Sequence, residues 1–270
     1  MILRTTLTGT SSVDSNQCTG GGDGFFIGNE NGSPSNFNVI TNNDCSFAAA
    51  NAFECTFSNG NRFENNRASY SAYGFWLGFS YNSTVAGNII VGCGAGIEID
   101  HGQDNNLSSN VITNANGPGI VLKSDGSSPF ASRPWLNLPA EDESTRTIIA
   151  SNRFGDNNNY HIVLHNTTSS HVYDNYFPTK KNPAVVSVDA LSAALANFEI
   201  PGGVPVAADD GEYNIIQGEI KAGNWWCDDG SHEVNGSVPG VGTDRPYVIN
   251  ETAGAMDRLP LYIPNNYGMC

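Results

Sequence analysis

The chain has 270 residues and a formal net charge of −15, from only 12 basic and 27 acidic side chains. Its 34 Asn and 30 Gly exclude a helical bundle, because both residue types are poor helix formers. No apolar run approaches the roughly 18 residues of a membrane-spanning helix, and the absence of a basic cluster excludes a nucleic-acid partner. A protein of strands and turns remains, with one large domain or one domain with appendages.

A short pattern recurs at a nearly constant spacing along the chain. Five segments contain an apolar residue, two spacers, Asn, one spacer and a mostly apolar residue; they begin at Phe63, Val85, Leu107, Ile149 and Val172. Apolar–polar–apolar triplets alternate with them and begin at Phe53, Phe75, Ile97, Ile120 and Ile162. In each set the starts are almost evenly spaced, apart from one step that is nearly twice as long. Two sets that advance together indicate a structural repeat, here of about 22 residues.

A repeat of this length is too short to contain a helix and suits one coil of a parallel β-helix. The period-two alternation within each segment predicts short strands, and the strands of successive coils would stack about 4.8 Å apart. The recurring Asn is explained in the same way. Asn tolerates the left-handed backbone of a tight corner, and stacked amides can hydrogen-bond from coil to coil. We therefore predict an all-β solenoid with coils of about 22 residues.

These N-x-I-x-x-N-x-F and G-I-x-I phrases resemble the right-handed parallel β-helix proteins of the pectate-lyase-like superfamily. In chain order, we expect an N-terminal coil or cap over 1–33 and the β-helix repeats over 34–220. Two loop insertions interrupt the repeats, at 124–145 and 189–211. An irregular capping segment over 221–270 closes the chain. Its Gly223-Asn224-Trp225-Trp226 and Met256-Asp257-Arg258-Leu259-Pro260-Leu261 phrases resemble the C-terminal segment of NosD-like β-helix proteins.

Stacking the triplets predicts outward-facing columns, because side chains between inward apolar residues point out. The columns read Glu54, Trp76, Glu98, Val121, Val163, then Thr56, Gly78, Asp100, Lys123, His165, then Ser80, Gly102, Asp125, Thr167. Charged residues are scarce in this chain, yet several of them meet on adjacent coils of one face. We predict the catalytic residues to be Glu98, Asp100, Lys123 and His165. We predict the substrate-binding residues to be Trp76, His101, Asp104, Asp125 and Trp135.

Glu98 and Asp100 lie two residues apart on one strand, which separates their Cα atoms by roughly 6.5–7 Å. Two carboxylates at such a spacing are compatible with general acid/base hydrolysis of a glycoside. Lys123, one coil away, is expected to tune a carboxylate, or Lys123 or His165 could take a proton in an elimination. Carboxylates beside a cation would also suit a Ca²⁺-assisted lyase. No cofactor other than this Ca²⁺ is predicted.

Each residue also has a purely structural interpretation. Glu98, Lys123 and Asp100 can form a cross-strand salt-bridge cluster that only makes a coil soluble. His101 can hydrogen-bond a turn, His165 can be an ordinary surface residue, and Trp76 can be packed beneath the first insertion.

The resemblance implies a polysaccharide as partner, because lyases, hydrolases and epimerases of sugar polymers share this fold. We expect a carbohydrate-active protein that cleaves glycosidic bonds, with hydrolysis favoured over elimination. The alternatives are a Ca²⁺-dependent uronan lyase or C5-epimerase, and a non-catalytic glycan-binding or assembly protein. We expect it to be a monomer or an end-stacked oligomer.

The cysteines bear on the cellular compartment. Their number is even and their spacings match no metal site; they are Cys18, Cys45, Cys55, Cys93, Cys227 and Cys270. Disulfides and an oxidising compartment are compatible with this count. The sequence shows no signal peptide, and we expect a secreted protein whose export signal is absent from this chain.

Overall fold

The apolar segments form short strands that stack in parallel in the computed structural model of the chain. The structure describes residues 3–5, 11–28, 34–124, 144–157, 160–177, 185–187, 225–227, 247–250, 255–257 and 261–263. These residues contain 25 strands and no helix. Accordingly, no helix capable of crossing a membrane is found among them.

Three parallel sheets form the walls of the solenoid. The first sheet contains β1 (Leu3–Thr5), β3 (Phe25–Gly28), β5 (Asn51–Asn59), β7 (Tyr73–Tyr81), β10 (Ala95–Asp100), β13 (Ile120–Lys123), β17 (Ile162–His165) and β21 (Val185–Ser187). The second contains β2 (Ser12–Asp14), β4 (Val39–Thr41), β6 (Arg62–Glu64), β8 (Thr84–Ala86), β11 (Asn106–Ser108), β15 (Ile148–Ala150) and β19 (His171–Tyr173). The third contains β9 (Ile89–Val91), β12 (Val111–Thr113), β16 (Arg153–Phe154), β20 (Tyr176–Phe177), β22 (Trp225–Cys227) and β25 (Leu261–Ile263).

Two smaller pairs accompany these sheets. β14 (Ser144–Thr145) lies parallel to β18 (Thr167–Thr168), and β23 (Tyr247–Asn250) lies antiparallel to β24 (Ala255–Asp257).

The register of the first sheet gives the length of each coil. Phe53 pairs with Phe75, Phe75 with Ile97, and Ile97 with Ile120, so equivalent positions recur at an almost constant step. The next step, from Ile120 to Ile162, is nearly twice as long, because the segment between β13 and β14 is inserted there. These regular coils contain 22 or 23 residues. The predicted parallel β-helix is confirmed, together with its repeat length.

The core runs along the axis of the solenoid. Every inward apolar residue of the repeat belongs to one buried cluster, in which most side chains are 0–1% exposed. Phe25, Phe53 and Phe75 follow one another along the axis, with ring centroids 6.0 and 4.8 Å apart. Successive coils thus bury their apolar side chains against apolar side chains above and below.

A continuous ladder of asparagine amides links the coils at the corner after the second sheet. Each Nδ2 donates a hydrogen bond of 3.0–3.2 Å to the Oδ1 of the Asn one coil further on. The ladder comprises Asn16, Asn43, Asn66, Asn88, Asn110, Asn152 and Asn175. Each of these Oδ1 atoms also accepts the backbone N–H of the preceding ladder residue. The predicted coil-to-coil amide bonding is confirmed.

The backbone conformation predicted for this asparagine is wrong. The left-handed residue is the one before it, as at Asn65 (φ 55°), Ser109 (φ 57°) and Ser151 (φ 55°). The ladder asparagine keeps an ordinary negative φ, which turns its amide inward and lets it reach the neighbouring coil. The turn and the ladder are therefore built by two adjacent residues.

The cysteines of the described coils are all buried free thiols: Cys18, Cys45, Cys55 and Cys93. The side chain of Cys227 and all of Cys270 lie outside the described residues, as do segments 125–143 and 188–224. The second predicted insertion, at 189–211, therefore cannot be compared with the fold. The domain boundaries at 33 and 220 stay predictions.

Removing one amide from the middle of the ladder is expected to destabilise the fold strongly. Asn88 is fully buried, and its amide contacts Asn66, Asn110 and the carbonyl of Phe63. Asn88→Ala leaves these buried groups unsatisfied, so the free energy of unfolding should fall by about 2–4 kcal/mol in urea titrations.

The exposed Asn116 supplies the control, since its backbone N–H bonds the Cys93 carbonyl at 2.7 Å whatever its side chain. Asn116→Ala should change the free energy of unfolding by no more than about 0.5 kcal/mol. Equal effects of the two substitutions would contradict a stabilising role for the ladder.

Candidate functional site

The predicted catalytic residues meet on the outer face of the first sheet. In β10, Glu98 pairs in register with Trp76 of β7 and Val121 of β13, and Asp100 pairs with Gly78 and Lys123. His165 of β17 follows Lys123 in the same column. The predicted columns that contain Glu98 and Asp100 are therefore present, because the same residue pairing repeats from coil to coil.

Glu98 lies beneath its neighbours. Its side chain is only 7% exposed, and its Oε1 accepts a hydrogen bond from Trp76 Nε1 at 3.1 Å. The Lys123 ammonium approaches the same oxygen at 2.8 Å. One carboxylate oxygen therefore fixes both the indole ring and the ammonium group.

Lys123 lies between two carboxylates. Its Nζ is 3.9 Å from Asp100 Oδ2, in addition to the close contact with Glu98. Burial alone would lower the pKa of Lys123, but the charge and hydrogen bond of Glu98, and then the charge of Asp100, raise it above its ordinary value. A lysine that holds its proton so tightly is a cation and a poor proton acceptor. The interpretation of Lys123 as the base of an elimination is therefore disfavoured.

Asp100 is the more accessible carboxylate of the pair, with 22% of its side chain exposed. Its Oδ1 is 2.6 Å from His101 Nδ1. His101 has a left-handed backbone (φ 54°), and its ring stacks on Phe79 with centroids 4.8 Å apart. Phe79 stacks in turn on Phe57 at 5.0 Å. His101, predicted to contact substrate, is instead buried as the third ring of this stack and orients Asp100.

Tyr73 was missed by the sequence analysis. It lies three residues before Trp76 in β7, and the charge of Glu98, followed by burial, raises the pKa of its phenol. The phenol therefore keeps its proton at neutral and mildly alkaline pH. The sequence places Tyr73 on the same coil as Trp76, which could have indicated that it is near the site. It was not considered because it comes before the apolar–polar–apolar triplet that begins at Phe75.

The remaining predicted residues lie at or beyond the border of the cluster. Asp104, in the turn after β10, is held by Arg146, whose Nε and Nη2 lie 2.7 and 2.9 Å from its two carboxylate oxygens. His165 is buried beside Lys123. Asp125 and Trp135 lie outside the described residues. The coil position predicted for Asp125 is occupied by Ser144, which pairs with Thr167.

Fold and site together define a parallel β-helix protein with a polar cluster on the outer face of one sheet. The family model described as "Periplasmic copper-binding protein (NosD)" matches residues 4–133, just under half of the chain. The likeness to NosD-like proteins is thus confirmed over the N-terminal coils, whereas it was predicted from the C-terminal segment. A search of curated proteins finds no match.

Solved structures share the fold at low sequence identity. The A-module of the mannuronan C-5 epimerase AlgE6 of Azotobacter vinelandii has 17% identity and a TM-score of 0.52, covering 79% of this chain and 57% of that one. The A-module of AlgE4 from the same organism has 17% identity and a TM-score of 0.47, covering 70% and 57%. An alginate lyase from Paenibacillus sp. str. FPU-7 has 13% identity and a TM-score of 0.38, covering 83% and 89%. The chain spans little more than half the length of the epimerase modules.

The family description raises the question of copper. Among the residues that the structure describes, no group of three or more His, Cys, Asp or Glu side chains is arranged to hold a metal ion. In the cluster itself, both carboxylates contact an ammonium group. The described coils therefore contain no three-ligand group of this kind for copper.

The ion pair of Glu98 and Lys123 is expected to be required for stability because its partners are largely buried. Lys123→Met leaves Glu98 without its counter-charge and should lower the free energy of unfolding by about 3 kcal/mol. The double variant Glu98→Gln/Lys123→Met should recover at least half of this loss. Chemical denaturation at neutral pH measures both.

The pair of Arg62 and Glu64, 2.7 Å apart on the second sheet with side chains 56% and 23% exposed, is the matched control. Arg62→Met should cost less than about 1 kcal/mol, because solvent screens that pair. A Lys123→Met effect no larger than the Arg62→Met effect would contradict the assignment of a tight, partly buried pair.

The raised pKa of Lys123 also predicts a pH dependence. The folded protein holds this proton more tightly than the unfolded chain, whose lysines titrate near about 10.4. The resulting stabilisation is fully present below that pH and is lost as pH rises through the higher folded pKa. Urea midpoints at several pH values between about 9 and 12 should therefore fall more steeply for the wild type than for Glu98→Gln/Lys123→Met. Parallel curves would show that this lysine has no raised pKa.

Proposed function

We propose that this protein binds a polysaccharide across the outer face of the first sheet and cleaves a glycosidic bond there by hydrolysis. One observation carries the proposal. Glu98 and Asp100 extend from one strand, share one ammonium group, and lie beside the partly exposed ring of Trp76. Two carboxylates are the groups required for acid/base hydrolysis of a glycoside, and an aromatic ring suits the apolar face of a sugar.

Exposure divides the roles between the two carboxylates. Asp100, 22% exposed and oriented by His101, is the group that a sugar or an attacking water meets first. We assign to it the role of base or nucleophile. Glu98, 7% exposed, is assigned the complementary role of acid or electrostatic partner, which requires it to become accessible when substrate displaces Lys123. Tyr73 keeps its proton and would donate a hydrogen bond to the sugar.

Elimination or epimerisation of a uronan is the second candidate, and the protonated Lys123 favours it. An ammonium group at this position can neutralise the carboxylate of a uronic acid, which acidifies the neighbouring C–H bond. Because Lys123 retains its own proton, the base would be His165, the next residue of the column. Tyr73 would protonate the leaving oxygen. Ca²⁺ is proposed only for this candidate.

The cellular location is proposed on the same basis. A protein that acts on polysaccharides meets them outside the cytoplasm, and the family whose model matches is described as periplasmic. We therefore propose an exported protein. Subunit association stays a prediction.

A panel of plant, algal and microbial glycans distinguishes the candidates. We expect new reducing ends without absorbance of unsaturated products, and losses of roughly 100-fold or more in rate for Asp100→Asn and Glu98→Gln. Glu64→Gln, which changes a carboxylate of similar exposure on the second sheet, should keep full activity.

Unsaturated products that are lost in His165→Gln, with or without sensitivity to chelator, would replace hydrolysis by elimination. Exchange of the C5 hydrogen with solvent deuterium, read by mass spectrometry, would indicate epimerisation. Binding of a glycan without turnover would reduce the cluster to a recognition site. Full activity in both carboxylate variants would contradict the assignment of this site.

A further inference from the structure

Cys18 and Cys45 lie on neighbouring coils inside the core, and the proposed glycan site uses neither of them. They are 2% and 0% exposed and belong to the central apolar cluster. Gln17 and Asp44, the residues before them, form a parallel β-bridge, and the Cys18 N–H donates to the Asp44 carbonyl at 2.8 Å. The two cysteines therefore occupy equivalent positions of consecutive coils.

Their spacing suits a covalent link. Neighbouring strands lie about 4.8 Å apart, within the range of about 4.4–6.8 Å that separates the Cα atoms of a disulfide. The two thiols already contact each other through a hydrogen bond. Gly24 packs directly against Cys45, since a Cβ at Gly24 would lie only 2.8 Å from the Cβ of Cys45. The bond between the two sulfur atoms therefore requires no change of register between the two coils.

The other two described cysteines lack this arrangement. Cys55 pairs in register with Ile27 on one side and Leu77 on the other. The Cys93 thiol donates to the Ala68 carbonyl at 3.3 Å. Both are buried in apolar surroundings, and burial raises the pKa of each thiol. They serve as internal references.

We propose that Cys18 and Cys45 are a disulfide-forming pair that cross-links the first two described coils when the protein is in an oxidising compartment. The oxidant is a disulfide, either of low molecular weight such as oxidised glutathione or carried by an oxidoreductase. Two consecutive coils thereby become covalently linked.

The different pKa values of the two thiols determine which cysteine reacts first with the oxidant. The hydrogen bond from Cys45 lowers the pKa of Cys18 to about 7, whereas the same bond, together with burial, raises the pKa of Cys45. Cys18 therefore attacks the oxidant as thiolate, forms a mixed disulfide and releases one thiol. Cys45 then loses its proton, attacks Cys18 Sγ and displaces the second thiol. Two electrons pass to the oxidant, and the two protons that the cysteines lose are taken up by the two released thiolates.

A disulfide between Cys18 and Cys45 would stabilise the first described coil, which has few packed side chains. The first described coil contains Gly20, Gly21, Gly22 and Gly24, so few side chains fix its path. Its ladder residue Asn16 is exposed, whereas the following ladder residues are buried. The disulfide keeps the coil in register independently of what the outer face binds.

The test uses the whole 270-residue chain, purified in reduced form and then incubated with oxidised glutathione. After denaturation and alkylation, the oxidised sample should carry two alkyl groups fewer than the reduced one, and peptide mapping should identify a Cys18–Cys45 link. The link restricts the unfolded chain, so the oxidised protein should melt roughly 5–10 °C above the reduced protein.

Two single variants make the result specific. Cys18→Ala should abolish the melting difference between reduced and oxidised protein, whereas Cys93→Ala should lower both melting temperatures and keep the difference. Alkylation of all cysteines after oxidation would overturn the proposal. A disulfide that joins Cys18 or Cys45 to Cys227 or Cys270 would also overturn the proposal. A melting difference that persists in Cys18→Ala would overturn it as well. None of these outcomes depends on whether a glycan is bound or cleaved.

Discussion

The stacking of one coil on the next, enforced by the asparagine ladder, is the constraint on which the rest of the structure depends. An amide in an apolar interior is costly unless all its hydrogen bonds are made. At Asn88 those bonds come from the coils on both sides. A shift of one residue in any coil would leave several buried polar groups without partners. The ladder therefore fixes the register, and the register fixes every column of side chains outside it.

The polar cluster is a direct consequence of that register. Glu98, Asp100 and Lys123 come together because equivalent positions of successive coils are about one strand spacing apart. The contacts that would orient two carboxylates for chemistry are also those that a structural ion pair needs. Of the two carboxylates, Glu98 is the more deeply covered. Whether the cluster acts in catalysis or only as a structural ion pair therefore depends on whether a substrate opens the Glu98–Lys123 contact.

The fold alone does not show which reaction the site performs. The similarity to a mannuronan C-5 epimerase module extends over most of this chain at 17% identity, which shows a shared solenoid and leaves the chemistry to individual side chains. Here the side chains are two carboxylates, one ammonium group and one indole ring in a chain with net charge −15. Among the described residues, the ammonium group of Lys123 is the one positive charge of this cluster. Its role distinguishes the two candidates, because only elimination uses it to neutralise the carboxylate of a uronic acid.

The sequence by itself determined the solenoid, the coil length and the two outward columns, because each follows from the alternation within strands and the regular spacing between them. The tertiary structure alone decided which atoms meet. The bond from Trp76 to Glu98, the ring of His101 on Phe79, and the clamp of Arg146 on Asp104 depend on rotamers and on corner φ angles. Periodicity places a side chain in a column, but directional hydrogen bonds and ring contacts are fixed only by the three-dimensional path of the corners.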